Sequence, residues 1–217
     1  MSKGLFISIE GGEGSGKSTV IQRLKEELEK RGEQVLVTRE PGGIDVAERI
    51  RNILVHQEMD ALTEAMLFAS SRNETIKQVI QPALDEGKIV LCDRFLDSSL
   101  VYQGYVKGLG IEKVYEINQL VLQDCLPALT LYFDLDPVIG LERIAQNSRE
   151  TNKFDELDIG FHQNVRDGYQ LIAKHFSHRK RIRTIDASQS IEEVFQSAFQ
   201  TIVEHLRKTE EPYDQAL

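Results

Sequence analysis

The sequence predicts an α/β fold, a parallel sheet with helices on both faces, and three observations carry that prediction. Five short apolar runs read as strands: Leu5–Ile9, Gln34–Thr38, Ile89–Cys92, Leu129–Phe133 and Arg181–Ile185. Stretches with apolar residues at helical spacing separate them. The first run leads directly into the glycine-rich segment "GGEGSGKST", after which helical spacing begins at once.

That segment comes first in the chain and carries the most chemistry. Gly11, Gly12, Gly14 and Gly16 fall within six residues, each costing backbone entropy on folding. Gly11, Gly16, Lys17 and Ser18 satisfy G-x-x-x-x-G-K-[ST], the phosphate-cradling P-loop. Residues without side chains let successive N–H groups curl around phosphate oxygens at a helix N-terminus. The segment Gly11, Gly12, Glu13, Gly14, Ser15, Gly16, Lys17, Ser18 and Thr19 is therefore the expected nucleoside triphosphate site. Lys17 would reach the outer phosphates, and the Ser18 hydroxyl would ligate Mg2+.

The first helix is expected over residues 17–31, with Val20, Ile21, Leu24 and Leu28 on its inner face and Gly32 stopping it. Glu48–Val55 reads as a second helix, and residues 60–86 as a long one kinked or split at Pro82. Residues 111–124 carry many apolar positions for a helix, among them Ile111, Val114, Ile117, Val121 and Leu122, which suits a core helix or an oligomer face. Residues 145–158, "AQNSRETNKFDELD", are almost wholly polar and break the rhythm. A long polar insertion in a compact domain is often a mobile functional loop, so a lid is expected over about residues 146–157. Ile191–Leu206 reads as the final helix, and residues 208–217 as a polar, frayed tail. A chain of 217 residues suits one well-buried α/β core, placed over residues 1–207.

Composition narrows the function. A net charge of −9 argues against a nucleic-acid backbone as the main partner. No apolar run approaches the ~20 residues of a membrane span, and no signal-peptide pattern opens the sequence. Cys92 and Cys125 make neither a disulfide framework nor a metal cluster, which fits a cytoplasmic protein. The expected ligand is a small phosphorylated molecule held by a few local cations.

Those cations have a framework to sit on. The run Ile89–Cys92 ends in Asp93-Arg94, where the carboxyl ends of parallel strands form the ligand crevice. Asp93 there can hold hydrated Mg2+, and Arg94 can neutralise transferring phosphate charge. Arg39 follows the second strand; Arg51 and Arg72 lie in helical stretches; Arg149 lies in the polar one. Phe68 and Arg72 are four apart and share a helix face, an aromatic plate beside a guanidinium that could read a base. Asn152-Lys153-Phe154-Asp155 spells N-K-x-D, a guanine-recognition pattern, but it follows polar residues rather than a strand, and no D-x-x-G accompanies it.

Taken together, "IEGGEGSGKST", "TREPGG", "EAMLFASSR", "LCDRFLDSSLVYQGY", the polar lid and "GYQLIA" resemble the thymidylate kinases, over nearly the whole chain. The resemblance implies a five-stranded parallel sheet flanked by helices, the P-loop nucleoside monophosphate kinase architecture with a mobile lid, and a homodimer. It implies transfer of the γ-phosphoryl group of ATP, with Mg2+, to dTMP. Under it Glu13 approaches the sugar 3′-hydroxyl, Arg39 and Arg94 bind the acceptor phosphate, and Asp93 lies near the metal. Phe68 stacks thymine; Arg72, Ser99 and Gln103 read its polar groups; Tyr102 crowds the 2′ position. The loop lacks the arginine that one branch of the family carries, and Arg149 resembles the lid arginine of the bacterial branch. Another kinase of the same fold, or a non-catalytic nucleotide-binding regulator, are the alternatives.

Overall fold

The computed structural model describes residues 4–146 and 158–210. Arg149, Lys153 and Asp155 lie outside the described residues. Five strands form one sheet: β1 Leu5–Gly11, β2 Val35–Arg39, β3 Ile89–Asp93, β4 Leu129–Asp134 and β5 Ile182–Asp186. Their order is β2-β3-β1-β4-β5, and every pairing is parallel. Each strand lies within about a residue or two of its sequence expectation. The match follows from burial on both faces, which makes the inner strands near-continuous apolar runs. Edge strands β2 and β5 keep exposed positions and read less cleanly.

Alternation along β1 divides the core. Phe6 points to one face with Val90, Cys92 and Tyr132; Ile7 and Ile9 point to the other with Leu91, Leu131 and Phe133. Helices α1 (Lys17–Lys30) and α9 (Ile191–Glu210) cover the second face. The first is covered in part by α6 (Ile111–Leu122) and α8 (Ile159–His175). Helix α9 continues past Leu206, so the first residues of the expected tail are helical.

The long helix expected over residues 60–86 is interrupted just before Pro82. Helix α3 (Ala61–Thr75) widens into a π-helical segment, Ile76–Ile80, and tightens again as α4 (Gln81–Asp85). Pro82 falls in the first turn of α4, where its missing N–H is tolerated. Helix α5 (Leu96–Ser99) likewise runs into a second π segment, Leu100–Val106. Helix α8 lies against that segment because Gly168 has no side chain; a Cβ there would meet Tyr105 Cδ1 at 2.9 Å. Helices α2 (Asp45–His56) and α7 (Pro137–Gln146) complete the α-helices among the described residues.

Candidate active site

The loop after β1 holds Gly11, Gly14 and Gly16 at φ 147, 71 and 83, a left-handed region that disfavours side chains. Gly14 has a second constraint, since a Cβ on it would lie 2.1 Å from the carbonyl oxygen of Gly140 in α7. The loop and α7 touch backbone to backbone. Lys17 begins α1, and its ammonium donates to the carbonyls of Gly11 (3.1 Å) and Gly12 (2.8 Å) and to Ser15 Oγ (3.3 Å). Burial, with Arg94 nearby, lowers its pKa to about 8. A cavity of about 510 Å3 opens over this loop, walled also by Asp93, Arg94, Arg143 and the start of α9.

Ser18 Oγ donates to Asp93 Oδ2 at 3.2 Å, while Asp93 Oδ1 is buried with no partner among the described residues. No group of three or more His, Cys, Asp or Glu side chains converges there among the described residues. A hydroxyl, a carboxylate with an unmatched oxygen and space for phosphates suit Mg2+, which keeps several waters and uses few protein ligands.

A second cavity, of about 210 Å3, adjoins the first and shares Glu13 and Arg94 with it. Arg51, Phe68, Arg72, Ser99, Tyr102 and Gln103 line it, bringing together residues separated by about fifty positions of sequence. Arg94 has φ 66, rare for a residue with a side chain, and its N–H donates to Ile9 O at 3.0 Å. This turn aims its guanidinium back between the cavities. There it donates to Glu13 Oε1 (2.5 Å), Ser98 Oγ (3.3 Å) and Tyr169 Oη (3.4 Å), and lies 5.4 Å from the Tyr102 ring centroid. Burial pushes the Tyr102 phenol up to about 12, so it stays a hydroxyl.

Arg72 is 1% exposed and held on three sides. It donates to Glu40 Oε2 (2.8 Å), Asn118 Oδ1 and Ser99 Oγ (3.2 Å), with its guanidinium 5.0 Å from the Phe95 ring. Arg51 donates to Pro41 O at 3.1 Å. Arg39 stands apart: it does not line the cavity, is half exposed and pairs with Glu48 at 2.5 Å.

Several supporting residues were invisible to the sequence reading. Glu10, wholly buried, accepts from Phe95 N (2.7 Å), Ser98 Oγ (2.6 Å) and Tyr169 Oη (2.9 Å). It pins the Asp93-Arg94 turn to β1, and burial raises its pKa. A carboxylate inside an apolar strand, "FISIEGG", was its available signal. Glu40, Glu64 and Asn118 gave no comparable one, because their partners are distant in sequence.

The family model described as thymidylate kinase matches residues 9–198. The chain belongs to the thymidylate kinase family. Among curated relatives, a thymidylate kinase of Oceanobacillus iheyensis is 50% identical, the match covering 95% of this chain and 93% of the relative. One of Bacillus velezensis is 51% identical over 94% of this chain and 98% of its own. A solved thymidylate kinase from Ehrlichia chaffeensis superposes with a TM-score of 0.74 at 32% identity, over 92% of this chain and 98% of that one. The two adjacent cavities at the strand ends share Glu13 and Arg94.

Proposed function

We propose that this chain transfers the γ-phosphoryl group of ATP to dTMP, giving dTDP and ADP. The observation that carries the reading is the pair of cavities sharing Arg94 and Glu13, one over a phosphate loop and one lined by Phe68 and Arg72. Phosphoryl transfer needs little covalent help, so positioning and charge do most of it. Loop N–H groups and Lys17 hold the triphosphate, and Arg94 offsets the repulsion between two anionic substrates. Ser18 and Asp93 would hold Mg2+, which when bound neutralises charge on the phosphate oxygens.

At the acceptor, Phe68 stacks thymine, while Arg72, Ser99 and Gln103 read its edge. Tyr102 crowds the 2′ position, Glu13 approaches the 3′-hydroxyl, and Arg39 with Arg51 joins Arg94 around the phosphate. Arg149, outside the described residues, supplies a further cation. The setting is cytoplasmic; no helix among the described residues is long and apolar enough to cross a membrane. The working unit is a homodimer built on α2, α3 and α6, which leave Ile53, Met66 and Leu120 exposed. Sedimentation of the native chain should give a dimer, and Leu120→Glu a monomer.

A coupled ADP-release assay over a panel of nucleoside monophosphates tests the reading. dTMP is expected to lead, with dUMP a weaker substrate and dCMP rejected. A different preferred acceptor would make the chain another kinase of this fold, and ATP binding without turnover would make it a regulator.

A further inference from the structure

Glu64 lies in the first turn of α3, outside the lining of either cavity, and is only 2% exposed. Its Oε1 accepts from Gln103 Nε2 at 2.7 Å, and its Oε2 from the ammonium of Lys107. Gln103 and Lys107 belong to the second π segment and its C-terminal boundary, so the carboxylate ties that segment to α3. Gln103 is itself buried, yet lines the smaller cavity.

An amide can present either its oxygen or its NH2 group, so a glutamine by itself reads a donor and an acceptor equally well. A carboxylate removes the choice, because it only accepts. One of the two Nε2 hydrogens is committed to Glu64, which fixes which way round the amide sits, and its oxygen, with no partner among the described residues, is left to the cavity. We infer that Glu64 is a specificity-determining positioning residue: it fixes the Gln103 amide so that its oxygen faces the acceptor base. Thymine carries N3–H, a donor, on that edge; cytosine carries a bare N3 acceptor. The fixed oxygen therefore accepts from thymine and meets cytosine acceptor to acceptor. Arg72 independently opposes cytosine, offering only donors where cytosine has an amino group. Two readers of opposite polarity then define the base, each held by a buried carboxylate, Glu40 for one and Glu64 for the other.

The inference rests on the dTMP kinase reading, and the experiment separates their failures. The variants E64Q, Q103L and E64Q/Q103L are assayed for kcat/KM with dTMP and dCMP, alongside the native enzyme. In E64Q the new amide can donate as well as accept, so the Gln103 amide is freed to turn over. The dTMP/dCMP ratio should then narrow by about tenfold, the scale of one net hydrogen bond. In the double variant the ratio should equal that of Q103L, because Glu64 acts on the base only through Gln103. A ratio unchanged in E64Q, or effects of the two substitutions that simply add, would overturn the inference. A merely structural role would lower both substrates together and leave the ratio alone. Should E64Q fail to fold, E64D carries the same comparison, since it withdraws the acceptor by one methylene and keeps the charge. Native enzyme inactive on dTMP would instead sink the underlying reading.

Discussion

Lys17 spends its ammonium on the phosphate loop's own carbonyls, and under the proposed function a triphosphate would take over those bonds. Lys17→Ala should therefore lower kcat by about 10²–10³, the scale for losing one group that stabilises developing charge. The fold should survive, because the native ammonium is itself desolvated. Steady-state rates beside a thermal midpoint check both halves. Glu40 makes a statement about pH. Burial raises it to about 7 from an ordinary 4.5, with Arg72 opposing and Glu10 assisting. Between those values the folded chain binds more protons than the unfolded chain, so stability falls as pH rises through the window. Its contribution is complete below 4.5 and lost above about 7. Denaturant midpoints across that range should slope downward in the native protein and flatten in Glu40→Gln.

Helix α7 meets the phosphate loop backbone to backbone at Gly140. A Cβ on Gly140 would lie 2.5 Å from Glu13 O, and neither backbone can yield without moving the phosphate loop. Gly140→Ala should cost about 1–3 kcal/mol by overpacking. It should weaken ATP binding more than dTMP binding, because Phe68 and Arg72 stand on α3, away from the contact. Equilibrium titration of each nucleotide separates the two effects. The strands and α1 were legible because their burial leaves a periodic mark on neighbouring residues. The run Leu96–Val106 was not: Ser98, Ser99, Gln103 and Gly104 carry no helical stripe, and they fold into α5 and a π segment through packing against α6 and α8. Pro82 did mark a break in the regular helix; that the break takes the form of a widened turn before it was not legible.

For the molecule as a whole, the sheet order was beyond composition and spacing, while the ends of its strands were not. Asp93-Arg94 stood out at a strand end, and the second strand's Arg39 was expected to act beside Arg94. The structure pairs Arg39 with Glu48 and puts Arg51 of α2, also expected among the site cations, in the cavity wall; strand position alone does not disclose either side-chain direction. The base readers were legible as types; the carboxylates that aim them were not, since Glu40 is 32 residues from Arg72 and Glu64 is 39 from Gln103. The Arg94–Glu13 pair has a thermodynamic consequence of its own. On the proposed function, either substrate on arriving would draw the guanidinium from Glu13, and the other would then meet a cation already released. Donor and acceptor should accordingly bind with positive linkage, each tightening the other by the same factor, about fivefold at the low end of such couplings. The dissociation constant of dTMP, measured with and without a non-hydrolysable ATP analogue, reads that factor directly. In Glu13→Gln, where the carboxylate bonded to Arg94 is gone, it should shrink toward one.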